Sequence, residues 1–142
     1  MLADELKVLL ADTVTFYFQA QGCHWNVEGP DFSQYHGLFA DIYGDVYGSS
    51  DPLAENLRKL GEYAQFNLSR FVELRSLTFT ETTTDAREMA AYLAASNGAV
   101  IVSIGRAFDA AVAESEQGIA NFLADRDDMH KKWRWQLTAS LK

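Results

Sequence analysis

The sequence predicts an all-α fold: a four-helix bundle in which a long crossover, carrying a short helix, joins the second helix to the third. Two observations predict it. Apolar residues recur at every third or fourth position over four long stretches, which together cover most of the 142 residues. The segment between the second and third stretches, residues 64–84, is long enough to run the length of a bundle. We expect residues 1–142 to form a single domain, because a chain of this length supports one hydrophobic core.

The first helix is expected from Leu2 to about Cys23. Its apolar stripe leads onto His24, so this histidine is expected to point toward the interior. The stripe consists of Leu2, Leu6, Leu9, Thr13, Phe16 and Ala20. An inward-facing imidazole needs a hydrogen-bond partner or a metal ion. Residues 16–18 are consecutive aromatics that cannot all face one core, so part of this helix is expected to pack against another subunit.

The second helix is expected from Phe32 to about Tyr63, after a Gly29-Pro30 break. The sequence Ser50-Asp51-Pro52 inside it has two interpretations. Asp51 could cap a new helix with Pro52 in its first turn, the favoured position for each residue. Alternatively, the helix continues through the proline and Asp51 is free for another role.

The crossover contains a short amphipathic piece around Leu68 to Leu74, followed by a threonine-rich segment. The third helix is expected from Asp85 to about Glu114, with Thr84 or Asp85 as a cap ahead of Glu88. The fourth is expected from Gln117 to Leu141. One stripe of this helix consists of Ile119, Phe122, Arg126, Met129, Trp133 and Leu137. This order of elements is the ferritin-like topology.

Four residues, His24, His36, Asp51 and Glu55, have spacings that form a metal site only between two copies of the chain. If one helix carries His36 through Glu55, Asp51 lies 15 residues after His36. That separation is about 22 Å along the axis, at roughly 1.5 Å per residue, which no single ion spans. Asp51 and Glu55 are one turn apart and share a helix face.

An antiparallel pairing of two second helices about a two-fold axis brings His36 of one chain opposite Asp51 and Glu55 of the other. Such an interface makes two equivalent sites at once. Gly44 and Gly48, four residues apart, suit a close approach of two helices there. Two imidazoles with one or two carboxylates suit ferrous iron, with open positions for an oxidant, and zinc or other divalent ions fit the same ligands.

At these residues the chain resembles the Dps miniferritins. The motif reads His24-Trp25-Asn26-Val27-x-Gly29-x-x-Phe32-x-x-x-His36, followed by Asp51-x-x-Ala54-Glu55. The resemblance extends along the whole chain, through Leu60-Gly61 and the Arg126-Asp127 to Trp133 pattern of the last helix. It implies that the histidines of one subunit and the acids of its two-fold partner bind iron. It further implies oxidation of Fe2+ to Fe3+, usually by hydrogen peroxide and otherwise by oxygen, and storage of ferric mineral in a dodecameric shell.

Two departures from the family pattern bear on the site. Many members have an acidic ligand four residues after the second histidine, where this chain has Ala40. Asp41, one position further, is a weaker candidate because it is rotated by about 100° around the helix. Asp41, Asp45 or water is left to complete the site. We therefore expect one iron to be held firmly and a second weakly, with slower oxidation. The other departure is Pro52, which directly follows Asp51. Glu55 is a candidate ligand only because it lies one turn after Asp51, so if Asp51 is only a helix cap, Glu55 is no longer a candidate.

Taken singly, the candidate residues have simpler interpretations. His24 would be a core histidine and His36 a solvated one. Trp25 would pack in the core or in an interface, the interpretation that we favour, or would give up an electron as a redox relay beside an oxidising site. His130, next to two lysines, is expected to be solvated.

Composition narrows the class of protein. Hydrophobic residues make up 48% of the chain, enough to fill a core, and 23% are charged. Cys23 is the only cysteine, so no intrachain disulfide forms, and we expect it to be buried. The chain has no apolar run of membrane-spanning length and no basic start of a secretory signal, so we expect a cytoplasmic protein.

The charge balance argues against DNA as a partner. The chain has 12 basic and 20 acidic residues, a net charge of −8, and lacks the basic tail of DNA-binding family members. The function we expect is Fe(II) oxidation and iron storage as a defence against oxidative stress. The alternative is a non-catalytic or zinc-binding shell with a structural role.

Overall fold

The computed structural model describes residues 1–81 and 84–142 and is all-helical. In chain order the helices are α1 (Leu2–Asn26), α2 (Phe32–Lys59), α3 (Leu68–Leu74), α4 (Ala86–Ala113) and α5 (Gln117–Ala139). Among the described residues the only strand-like pairing is one isolated bridge between Glu28 and Asp85. The all-α bundle with a helix-bearing crossover is therefore confirmed. Part of the predicted threonine-rich segment, residues 82 and 83, lies outside the described residues.

The core lies between the four long helices. Helix α1 packs against α2 and α4, and α4 packs against α5. Every residue of the apolar stripe predicted for α1 is buried. Within the aromatic run that follows, Phe16 is buried, Tyr17 is half-buried and Phe18 is 48% exposed. As predicted, these three rings do not share one core.

The crossover is fixed to the bundle by a buried carboxylate. Asp12, fully buried in α1, accepts hydrogen bonds from the backbone N–H and the hydroxyl of Ser76, at 2.6 Å each. It also accepts one from the Ser103 hydroxyl of α4 at 2.5 Å. Several donors stabilise a carboxylate without a cation beside it, so this cluster joins α1, the crossover and α4.

Local sequence signals explain where the helices end. The Asp85 side chain accepts from the Glu88 N–H at 2.9 Å, the predicted cap of the helix that follows. Helix α2 ends at Lys59, short of the predicted Tyr63. Gly61 adopts φ 85°, and Glu62 N–H donates to the Leu57 carbonyl in a Schellman motif. The left-handed glycine ends the helix before the apolar pattern does.

Helix α2 runs through Pro52 without a break. The N-cap of α2 is Asp31, so the interpretation of Asp51 as the cap of a new helix is wrong. A proline removes one backbone donor, which leaves a carbonyl of the preceding turn without its usual partner. In that turn the hydroxyls of Ser49 and Ser50 donate to the carbonyls of Val46 and Tyr47, at 2.7 and 2.6 Å. These bonds add local hydrogen bonding to the turn that precedes the proline.

None of the helices in the described ranges combines the length and the apolar character that a membrane span requires.

Candidate metal site

The two candidate histidines meet where α1 turns into α2. His24 lies in the last turn of α1 and His36 near the start of α2. Gly29 and Asp31 adopt left-handed conformations in the loop between them, with φ of 106° and 66°. Glu28 N–H donates to the Thr84 carbonyl, which attaches this loop to the start of α4. The imidazole rings stack, with centroids 3.7 Å apart and planes inclined by 17°.

Each histidine fixes the tautomer of the other. His24 Nδ1 lies 2.7 Å from the backbone oxygen of His36, and His36 Nδ1 lies 2.8 Å from the backbone oxygen of His24. A carbonyl oxygen only accepts, so each Nδ1 carries the hydrogen and donates it. Each Nε2 therefore keeps its lone pair, and within the described chain neither has a hydrogen-bond partner. This is the arrangement of a metal-binding histidine.

The stacking decides how the two rings can bind ions. A metal ion lies about 2 Å from an imidazole nitrogen and close to the plane of that ring. Two nearly parallel rings with centroids 3.7 Å apart do not place their in-plane lone pairs on one such point. As they stand, the two stacked rings do not present their Nε2 lone pairs to one shared ion, and such an ion requires one ring to turn.

Asp51 and Glu55 lie on the exposed face of α2, one turn apart. Neither carboxylate has a hydrogen bond or ion pair within the described residues. Because α2 is continuous, they are roughly 20 Å or more from His36 along the helix. Accordingly, the described part of one chain brings no three ligating side chains together. The two predicted ligand pairs are therefore held apart within one subunit.

Two further aspartates of α2, Asp41 and Asp45, differ in whether their carboxylates are free to bind a metal ion. Asp41 is exposed and free of partners in the described chain. Asp45, considered as a substitute ligand, accepts two hydrogen bonds from the Arg126 guanidinium and one from Trp133 Nε1, all at 2.8 Å. Burial raises the pKa of Asp45, but these hydrogen bonds and the Arg126 charge together outweigh burial. The net effect is a pKa below the ordinary value of an aspartate. Asp45 is therefore a structural anion held by Arg126 and Trp133, which favours Asp41 or water over Asp45 for completing the predicted metal site.

Trp25 is not a core residue. Its side chain is 59% exposed, and its only described ring contact is an edge-on contact with Phe18 at 6.2 Å. Core packing is therefore excluded for Trp25, while an interface or a redox role stays open. Its neighbour Cys23 is buried, as predicted.

His130 contradicts the sequence-based prediction that it is solvated. It is 1% exposed, donates from Nδ1 to the Asn97 side-chain oxygen at 2.8 Å, and accepts from Arg126 at 3.1 Å. Burial and the adjacent guanidinium lower the pKa of His130 to about 3, so it is neutral in the core. Neighbouring lysines in the sequence point elsewhere because successive helical residues diverge by about 100°.

Sequence reasoning missed the aromatic surroundings of the histidines. Phe32 stacks on His36 at 4.8 Å, and Tyr43 contacts His24 edge-on at 5.2 Å. Phe32 and His36 are four residues apart in one helix, a spacing that does predict contact. Tyr43 contacts a residue of the other helix, and spacing does not reveal such a pair.

Comparisons with known proteins agree with this architecture. The family model for the ferritin-like domain matches residues 3–142. The DNA protection during starvation protein of Brevibacillus brevis is 26% identical over 142 residues, which cover 100% of this chain and 95% of that protein. An uncharacterised protein of Haemophilus influenzae is 31% identical over 87 residues, 61% of this chain. That match spans about half, 54%, of the relative's length.

A solved structure extends the agreement to three dimensions. The crystal structure of the Dps protein from Vibrio cholerae, described as a member of a broad superfamily of ferritin-like diiron-carboxylate proteins, has a TM-score of 0.94 to this chain. The identity is 26%, and the match covers 99% of this chain and 89% of that chain. The shared architecture therefore includes all four long helices and the crossover.

Proposed function

Because the chain belongs to the ferritin-like domain family, as a Dps family miniferritin, we propose that it oxidises Fe(II) at sites between two-fold-related subunits. The oxidant is hydrogen peroxide, and the ferric product is stored inside an oligomeric shell. One observation carries the proposal: His24 and His36 fix each other's Nδ1 atoms and leave the Nε2 lone pairs of two stacked rings free. Asp51 and Glu55 are the free carboxylates that a partner subunit can add to them.

The ligand roles follow from the chemistry of the donors. His24 and His36 bind Fe(II) through neutral Nε2 atoms, which tolerate either oxidation state of the metal. The partner's Asp51 and the partner's Glu55 bring negative charge, which favours the change from Fe2+ to Fe3+. Asp41 is an exposed candidate for an additional ligand. Zinc and other divalent ions fit the same donors and are expected to compete with iron.

Hydrogen peroxide accepts the electrons that Fe(II) loses. Each Fe(II) gives up one electron, and one hydrogen peroxide accepts two electrons and two protons to leave as two water molecules. Two Fe(II) ions are therefore consumed per peroxide when the site holds two irons. Removing the two reactants together withholds them from the reaction that makes hydroxyl radicals.

We propose that assembly turns this chemistry into storage. A closed shell, which we expect to be a dodecamer of two-fold dimers, encloses the ferric mineral. Relatives carry the name DNA protection during starvation protein. With a net charge of −8 per chain, we propose that this protein protects by consuming iron and peroxide and not by coating DNA. A gel-shift assay at low salt tests this point, and a retarded DNA band would overturn it.

The first experiment measures ferric absorbance after peroxide is added to anaerobic protein and Fe(II). We expect fast oxidation in the wild type and in a control, Asp128→Ala, that removes another exposed aspartate. Oxidation should be lost in His36→Ala and in Asp51→Ala. Equal, slow oxidation in all four proteins would instead favour a non-catalytic or zinc-binding shell.

A mixing experiment tests whether the site is shared between subunits. When His36→Ala and Asp51→Ala chains are unfolded and reassembled together, half of the dimers are mixed. Each mixed dimer has one site with an intact histidine from one chain and intact acids from the other. We therefore expect activity from about one quarter of the sites, although each variant alone is inactive. No recovery on mixing would exclude the intersubunit arrangement.

A further inference from the structure

A chain of tyrosines leads away from the histidine pair. Tyr43 contacts the His24 ring edge-on at 5.2 Å. Tyr17, on the facing helix α1, lies 6.4 Å from Tyr43, and Tyr47 lies 5.0 Å from Tyr17, all measured between ring centroids. These separations are those of aromatic rings in direct contact. We call Tyr43, Tyr17 and Tyr47 the tyrosine ladder.

The ladder is built from the aromatic residue that can lose an electron and a proton together. A phenol that gives up both becomes a neutral radical, whereas a phenylalanine at the same position has no such proton. Tyr17 donates its hydroxyl hydrogen to Gln21 Oε1 at 2.5 Å, which fixes the orientation of this phenol within the ladder. Tyr47, at the far end, is 61% exposed and lies between Gly44 and Gly48 on the exposed face of α2.

The reaction at the proposed metal site requires a second electron donor when only one Fe(II) is bound. Peroxide takes up two electrons, and a single Fe(II) supplies one. We expect one iron to be held firmly and a second weakly, because Ala40 provides no carboxylate for the second. When Fe(II) is scarce, only the better-supplied position is filled, and the second electron must come from another group in contact with the site.

We propose that Tyr43 supplies this second electron and that Tyr17 and Tyr47 share the resulting radical. This inference rests on the proposed function. In the reaction, Fe(II), hydrogen peroxide and the tyrosine yield Fe(III), hydroxide, water and a neutral tyrosyl radical. The O–O bond of peroxide breaks, iron and tyrosine lose one electron each, and the phenolic proton leaves with the water. The ladder then moves the radical away from the histidine ligands toward Tyr47.

The test is freeze-quench electron paramagnetic resonance with one Fe(II) per subunit and excess peroxide. We expect a tyrosyl radical signal in the wild type, with one peroxide consumed per Fe(II). In Tyr43→Phe the radical signal should be lost, and consumption should fall to one peroxide per two Fe(II). Tyr63→Phe is the matched control, because Tyr63 is 79% exposed and contacts Arg58 instead of the ladder. Circular dichroism verifies that each variant is folded.

Each other outcome has a separate meaning. If Tyr43→Phe keeps the radical and Trp25→Phe loses it, the indole is the donor and the ladder proposal is overturned. If the wild type forms Fe(III) without any radical, the proposal fails while the proposed oxidation of iron stands. If no Fe(III) forms above the protein-free rate, the proposed function fails and the ladder proposal fails with it.

Discussion

At the scale of single residues, His130 shows how a buried group makes the fold sensitive to acid. In its neutral form both ring nitrogens are satisfied, Nδ1 as a donor to Asn97 and Nε2 as an acceptor from Arg126. A second proton on the ring would face the guanidinium. The unfolded chain accepts that proton near pH 6.5, whereas the folded protein resists it until the pKa of about 3. Between these values the unfolded state binds more protons, so stability falls as the pH falls.

This linkage gives a measurable prediction. Stability of the wild type should decrease by about 2 kcal/mol between pH 7 and pH 5 from His130 alone. The lowered pKa of Asp45 adds a loss of the same sign at more acidic pH. Urea unfolding of His130→Gln at both pH values should show a decrease smaller by that amount, whatever the stability of the variant at pH 7. An equal decrease in the two proteins would show that His130 does not control acid stability.

Single residues also mark how far the sequence predicts the candidate site. Spacing along a helix was enough to exclude a site made by His36 and Asp51 of one chain. It could not reveal that Asp45 is held by Arg126, because the two residues are 81 positions apart and meet only after α5 packs on α2. For the same reason the Tyr43 contact with His24 was missed. Pairs within one helix are predictable, while pairs between helices depend on packing.

At the scale of elements, Asp51 and Glu55 lie on the same helix as His36 because α2 continues through Pro52. Replacing it should restore a backbone hydrogen bond, so we expect Pro52→Ala to increase the free energy of unfolding by about 1–3 kcal/mol. Pro30→Ala is the control, since Pro30 lies in the loop before α2, and its effect should be small. Chemical denaturation of the three proteins makes the comparison. A less stable Pro52→Ala would mean that the bundle packs around the conformation set by the proline.

In the turn between α4 and α5, Ser115 adopts a left-handed backbone conformation that is unfavourable for a residue with a Cβ. Ser115 has φ 58°, with Ser115 N–H donating to the Val112 carbonyl and Glu116 N–H to the Ala111 carbonyl. This is a Schellman motif with serine at the position that favours glycine. We expect Ser115→Gly to stabilise the protein by about 0.5–1 kcal/mol in thermal or chemical unfolding. Ser115→Ala, which keeps a Cβ there, should give no such gain, and equal effects of the two substitutions would refute the explanation.

The elements were more predictable than the site because their signals are local. Apolar periodicity located all four long helices, and the Asp85 cap and the amphipathic piece at Leu68–Leu74 were confirmed. The errors lay at special residues. Gly61 ended α2 earlier than its apolar pattern predicted, and the local sequence at Pro52 favoured a cap although α2 is continuous there. Tertiary contacts, including the bond to Asn97 of α4, decided the burial of His130.

At the scale of the whole molecule, one subunit leaves large apolar side chains without cover. Phe66, which is 95% exposed, lines a groove together with Asp51 and Tyr47, and Leu68 in the crossover is 70% exposed. Exposed apolar groups of this size next to free carboxylates are typical of a surface that another molecule covers. The same surface carries the predicted ligands Asp51 and Glu55. Assembly and metal binding are thus expected to depend on one contact.

A substitution at Gly48 can test the dimer contact without disturbing the fold of the subunit. A Cβ added at Gly48 meets no atom of its own chain within 4 Å, and Gly105 on α4 is exposed and equally open. Gly48→Leu should therefore preserve or raise helix content, because leucine is the better helix former. If two α2 helices approach closely at Gly48, the substitution should abolish the two-fold dimer in sedimentation analysis and Fe(II) oxidation with it, while Gly105→Leu keeps both. A Gly48→Leu protein that still dimerises and oxidises iron would place the two-fold contact on another face.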